Sequence, residues 1–193
     1  MSGIAVHLLR HGVPVRPGLL LGHADEAPLP AGVAACLAQA EKLAFERVVS
    51  SDLARAVIPA RDIAASRALP HAVDARWREL DFGAWTGLAP HEADAAAHAR
   101  FWDDPEAHPP PGGERWSQAR ARVGAALAQI EAPTLVVTHG GAMRAALAVL
   151  CAMDHRQAWA FDLPYASVLS LRLWPSPEPG SPGPVAQIVG LAA

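Results

Sequence analysis

Two apolar runs, far apart in the chain, each stop at a histidine followed by glycine. The first, Ile4-Ala5-Val6-His7-Leu8-Leu9, closes on Arg10-His11-Gly12; the second, Thr134-Leu135-Val136-Val137, closes on Thr138-His139-Gly140-Gly141. Short continuous apolar runs of this kind read as strands buried on both faces, as in parallel sheets covered by helices. Open α/β sheets bind ligands at the carboxyl ends of their strands. Both imidazoles are therefore expected at that edge. Two imidazoles there, with an arginine beside one of them, suit the handling of a phosphate.

The elements between these runs alternate. After the strand at 4–9 comes a Gly/Pro-rich loop at 12–30, and the periodicity then predicts a helix from Pro30 to Ala44. Arg47–Ser50 reads as a short strand. A second helix is expected to begin at Ser51-Asp52, with Asp52 as its N-cap, and to run to Ser66 with a kink or break at Pro59. A short strand is expected at 71–74, irregular chain at 78–83, a helix at 114–130, a strand at 134–138 and a helix at 141–152. A strand at 166–173, a Pro/Gly/Ser loop at 175–184 and a last strand at 185–190 complete the order. Alternating strands and helices predict an α/β fold, a three-layer α/β/α sandwich around a mostly parallel central sheet. Residues 84–113, with Trp85, Trp102 and Pro109-Pro110-Pro111-Gly112-Gly113, look more like a lid or insertion than a sheet layer.

At 193 residues the chain is long enough for a real core and is expected to form one domain, 1–193. Mean hydropathy is +0.14, and no apolar stretch approaches the roughly 18 residues of a membrane span. His7, Arg10 and His11 interrupt the N-terminus too early for a secretion signal. Cys36 and Cys151 sit in alanine-rich helical patterns and lack zinc-site spacing. A cytoplasmic enzyme without disulfides is the expectation. The net charge of −3 gives no basic field for nucleic acid, so a small molecule is the expected partner, with neither nucleic acid nor membrane. Lys42 is the one lysine among 16 basic residues, so most arginines are ordinary surface charges unless their context is special.

The chemistry centres on His11. A neutral imidazole attacks phosphorus to form a phosphoramidate that water later hydrolyses, and a strand end aims it well. Gly12 would let the backbone approach a bound anion. Gly140 opens a helix N-terminus, whose free N–H groups attract anions, directly after His139. Arg55 lies one turn into the second helix, where its planar fork either reaches phosphate oxygens or faces water. Arg10, at the end of a buried strand, needs a compensating anion. Leaving-group protonation needs an acid, for which Glu79 and Asp81 are both candidates. Trp77, Trp85, Trp102, Trp116, Trp159 and Trp174 read as core or cover, and His7 as a packed core histidine. Arg16, Arg76 and Arg144 could contact substrate or water. No HExxH pattern or carboxylate triad is present, so no metal or cofactor is expected.

These residues resemble the histidine phosphatase superfamily, also called phosphoglycerate mutase-like. Leu8-Leu9-Arg10-His11-Gly12 is similar to its signature, Ser50 to Ala56 to its second block, Arg78 to Gly87 to the block carrying the acid, and Val137 to Gly141 to its closing block. The resemblance implies a phosphoglycerate mutase-like α/β/α sandwich and a metal-free phosphomonoesterase working through a phosphohistidine. His11 would be the nucleophile and Glu79, rather than Asp81, the acid. Arg10, Arg55, His139 and Gly140 would bind the phosphate, and His23 the rest of the substrate. Leu21-Gly22-His23-Ala24-Asp25, Phe101-Trp102-Asp103 and Pro110 to Glu114 resemble the α-ribazole phosphatases of cobalamin assembly, in loops shared with broad-specificity phosphatases. Val13-Pro14 after Gly12 and Arg115 after Gly-Gly-Glu depart from the common pattern. A phosphoglycerate mutase-type transferase and a non-catalytic phosphate-binding module are the rival readings, and the short length favours hydrolysis over transfer.

Overall fold

A computed structural model describes residues 3–174 and 184–193. A six-stranded sheet organises the chain, in the order β3-β2-β4-β1-β5-β6. The strands are β1 (Ile4–Arg10), β2 (Arg47–Ser50), β3 (His71–Val73), β4 (Thr134–Thr138), β5 (Val168–Trp174) and β6 (Val185–Ala192). β1, β4, β2 and β3 pair in parallel; β5 runs antiparallel to β1, and β6 antiparallel to β5. The sheet is thus mixed, with β5 alone reversed. Most of the expected 175–184 loop lies outside the described residues.

The helices are α1 (Pro30–Ala40), α2 (Ala54–Ser66), α3 (Ala95–Asp103), α4 (Trp116–Leu127), α5 (Gly140–Leu150) and α6 (His155–Trp159). Strand alternation divides the core into two layers. Val6, Leu8 and Val136 pack with α4 and α5 on one face, while Leu9, Val48, Leu135 and Val137 pack with α1 and α2 on the other. The result is the expected three-layer sandwich. β4 is buried at every position, as a central strand covered on both sides must be.

Three local expectations are corrected. Helix α1 stops at Ala40 rather than Ala44. Helix α2 begins at Ala54, and Asp52 does not cap it. The Asp52 carboxylate instead accepts from Arg78 Nε at 2.8 Å, and the helix's first N–H, on Ala54, donates to Asp25 Oδ1 at 2.6 Å. A carboxylate engaged by a guanidinium fork has no oxygen turned to the helix end, and a loop carboxylate takes its place. Helix α2 also runs unbroken through Pro59, which is buried. Helix α6 had no sequence signal strong enough to be noticed; Asp154 and Gln157 form a reciprocal capping box at its start. Among the described residues, no helix is long and apolar enough to cross a membrane.

Candidate active site

Strand register brings the two imidazoles together. Arg10 pairs with Thr138 across β1 and β4, and His11 N–H donates to the Thr138 carbonyl at 2.8 Å. The residues that follow, His11 and His139, therefore leave adjacent strands side by side. Their ring centroids lie 5.0 Å apart, and both side chains are buried.

His11 Nδ1 sits 2.7 Å from the Gly12 carbonyl. A carbonyl only accepts, so Nδ1 carries the proton and Nε2 keeps its lone pair. Burial, and then the charge of Arg55, hold the His11 pKa well below 6.5, which favours the neutral ring. Burial and Arg55 act on His139 in the same direction. Neither ring nitrogen of His139 has a hydrogen-bond partner. Gly12 is also required by packing: a Cβ there would meet the Gly32 carbonyl oxygen at 2.0 Å, so glycine lets the His11 loop cross the first turn of α1.

The guanidiniums are tethered but keep donors to spare. Arg10 Nη1 donates to the Leu163 carbonyl at 2.5 Å, and its head stacks 4.3 Å from the Tyr165 ring centre. Arg55, 1 % exposed, donates to the carbonyls of Ala24 and Gly22 at 2.6 and 2.7 Å. The Nε groups of both arginines are buried without a partner. Buried unpaired donors are costly, and both side chains line the hollow, where an anion would face their positive charge.

Glu79 faces the same cavity. Its Oε1 accepts from Leu80 N–H at 2.9 Å and Gly141 N–H at 2.8 Å. The carboxyl group is thus anchored at the start of α5. Asp81, the rival acid, instead accepts from Gly83 N–H at 2.9 Å and does not line the cavity.

The cavity measures about 160 Å³, with Arg10, His11, Arg55, Glu79 and Gly140 along its polar wall. At roughly 30 Å³ per water, that is room for a small phosphoester group. Leu19 to Leu21, Phe82, Trp102 and Trp159 form the apolar side. Of the six tryptophans, Trp102 and Trp159 form part of the cavity wall. Trp102 belongs to α3, so the 84–113 segment does reach the cavity. His23 does not line it: its Nε2 lies 3.0 Å from the Glu79 carbonyl, and its Nδ1 is 3.8 Å from Asp81.

Of the residues lining the cavity, sequence reasoning missed Tyr165 and left Arg144 open. Arg144 lines the cavity, donates to the Phe161 carbonyl at 3.0 Å and keeps a buried, unpartnered Nε. Its position one turn into α5, after Gly140-Gly141, was the available signal, since helical side chains lean toward the N-terminus. Arg16 and Arg76, also left open, pair with Glu26 and Asp74 away from the cavity. Tyr165 lies in irregular chain and carried no signal. Among the described residues, no three His, Cys, Asp or Glu side chains gather as a metal site would need.

A family model described as "Histidine phosphatase superfamily (branch 1)" matches residues 6–177. No curated relative matches the chain by sequence. Among solved structures, the chain is similar to "Mycobacterial hydrolase 2", at 27% identity over 98% of this chain and 91% of that one, with a TM-score of 0.84. It is similar to a mycobacterial glucosyl-3-phosphoglycerate phosphatase in complex with inorganic phosphate, at 27% identity over 97% and 96% of the two chains and a TM-score of 0.80. A candidate alpha-ribazole-5'-P phosphatase from Escherichia coli shares the fold, at 22% identity, 97% and 96% coverage and a TM-score of 0.79.

Proposed function

The chain belongs to the histidine phosphatase superfamily and is a phosphatase, and from that premise we propose that it hydrolyses a small phosphorylated metabolite through phosphorylated His11. The observation that carries this reading is the anchored His11 ring, with Nδ1 fixed on the Gly12 carbonyl and Nε2 free, on a cavity wall shared with Arg10, Arg55 and Glu79.

His11 Nε2 attacks phosphorus as the bond to the ester oxygen breaks. The Glu79 carboxyl gives its proton to the departing alkoxide. Glu79, now a carboxylate, takes a proton from water, which attacks phosphorus and breaks the P–N bond. Alcohol and phosphate leave, and Glu79 is protonated again. Arg10, Arg55 and His139 hold the phosphoryl oxygens, where added charge is best stabilised by preset donors, and the N-terminal end of α5 at Gly140 supports them. His23 acts through the Glu79 backbone rather than on substrate.

His11→Ala is expected to abolish turnover of p-nitrophenyl phosphate, by about 10³-fold or more, given what an activated nucleophile contributes. Substantial residual turnover, or no acid-labile phosphohistidine in rapidly quenched wild-type enzyme, overturns the reading.

Loop resemblance favours α-ribazole phosphate and hence cobalamin synthesis in the cytoplasm, and a broad-specificity phosphatase is the alternative. Arg144, beside Arg10 at Gly140, supports a second reading in which the substrate carries another anionic group. Hydrolysis of α-ribazole phosphate compared with 3-phosphoglycerate separates the two. The mutase reading is tested in the same assay: isomer instead of free phosphate would replace hydrolysis by transfer. We propose further that the chain works as a single domain, with 84–113 covering the site.

A further inference from the structure

The acid segment, residues 78–82, belongs to no helix or strand. A carboxyl that delivers a proton must be held to about 0.5 Å, and irregular chain does not do that unaided. One side chain outside the cavity grips the whole segment. Arg122, on α4, donates from Nη1 to the carbonyls of Arg76 at 2.8 Å and Arg78 at 2.7 Å. Its Nη2 donates to the Glu79 carbonyl at 3.0 Å and to Glu114 Oε1 at 2.5 Å, and its Nε to Glu114 Oε2 at 3.0 Å. A guanidinium has five N–H donors, and these five bonds engage all of them.

Glu114 extends the grip. Its Oε1 also accepts from Asp81 N–H at 3.0 Å, so the pair reaches the backbone at residues 76, 78, 79 and 81. The Glu114 backbone N–H in turn donates to the Asp81 carbonyl at 3.1 Å. Both partners are largely shielded, with side chains 18% and 13% exposed, so solvent screens the pair less than a surface ion pair. The planar fork matters as well as the charge: only a guanidinium meets a carboxylate with two parallel bonds while still reaching carbonyls on its other side.

We infer that Arg122, paired with Glu114, is a positioning residue for the phosphatase reaction, fixing the Glu79 carboxyl at the distance from the leaving oxygen at which it can give up its proton. The inference rests on the reading of Glu79 as the acid. Its counterpart is a clamp that merely stabilises the fold, and the two differ in how the loss depends on leaving group. p-Nitrophenolate departs without a proton, whereas an alkoxide does not.

The test measures kcat/KM for p-nitrophenyl phosphate and glycerol 2-phosphate in wild type, Glu79→Gln, Arg122→Met, Arg122→Lys, Glu114→Gln and the Glu79→Gln/Arg122→Met double variant. For Arg122→Met, glycerol 2-phosphate is expected to lose at least about tenfold more than p-nitrophenyl phosphate, within the 10²–10⁴ that a positioned acid supplies. Arg122→Lys should recover part of that difference, and Glu114→Gln should show a milder version of it. The double variant should lose no more selectivity than Glu79→Gln alone, because both changes disable one function. Equal losses on both substrates for the Arg122 and Glu114 variants, or selectivity losses that multiply in the double variant, overturn the inference while leaving Glu79 in place. A Glu79→Gln enzyme with no dependence on leaving group overturns the acid reading, and the inference with it.

Discussion

Gly141 leaves room for one oxygen and nothing else. A Cβ at this position would stand 2.2 Å from Glu79 Oε1 and 2.7 Å from Leu80 Cγ. Alanine in a helix is worth about 1 kcal/mol over glycine, but that gain is smaller than the disturbance of a carboxylate displaced from its two N–H anchors. Gly141→Ala is therefore expected to lower kcat/KM on glycerol 2-phosphate by about 10- to 100-fold, a partial loss of the roughly 10²–10⁴ that a positioned acid supplies. An unchanged value would show that the carboxyl tolerates displacement. Residue identity alone was informative about placement: Arg10, His11 and Glu79, singled out by strand-end position or block resemblance, line one cavity, with His139 beside His11. It failed for Asp52, whose place before a helix reads as a cap while its true partner, Arg78, is 26 positions away. Nor did it reveal that the backbone of α1 crosses Gly12 closely.

At the level of elements, the first turn of α2 is held from outside the helix. Leu53 occupies the cap position without a side-chain bond, and Asp25 from the 12–29 loop supplies the acceptor for Ala54 N–H. The same loop accepts both outer Arg55 bonds, at Gly22 and Ala24, so loop and helix fix each other and place the guanidinium. Removing the acceptor with Asp25→Ala is expected to cost about 1 kcal/mol of stability, the usual loss for a helix cap, measured by urea unfolding. A loss near zero would mean that water serves the Ala54 donor equally well. Strands and most helices were legible because burial imposes a period on the sequence. Residues 78–82 and 161–166 were not, since their conformation is set by distant partners such as Arg122 and Arg10 rather than by any local pattern.

For the whole molecule, two neighbouring buried rings resist the same change, His11 on the cavity wall and His139 packed beside it. His11 and His139 both resist protonation in the fold, chiefly through burial and then through Arg55. In the unfolded chain each titrates near 6.5. Above that pH neither state binds the proton, and the two groups leave stability unchanged. Below it the unfolded chain takes up protons that the fold refuses, so stability falls as pH falls, by up to roughly 1.4 kcal/mol per pH unit for each ring. Urea unfolding at pH 7.5, 6.5 and 5.5 is expected to show a plateau and then a decline, shallower in His139→Asn. Equal stability at 6.5 and 5.5 would mean that these rings accept protons in place.

The sequence by itself determined where the two histidines sit, at the ends of two buried strands, because a buried strand leaves a run of apolar residues and a topological edge that needs no coordinates to recognise. Only the tertiary structure decided how those groups are aimed. The adjacency of His11 and His139 follows from β1–β4 register, the seat of Glu79 from the start of α5, and the shape of its loop from a guanidinium on α4. Aim is a property of hydrogen bonds between residues far apart in the chain, and no local pattern encodes them.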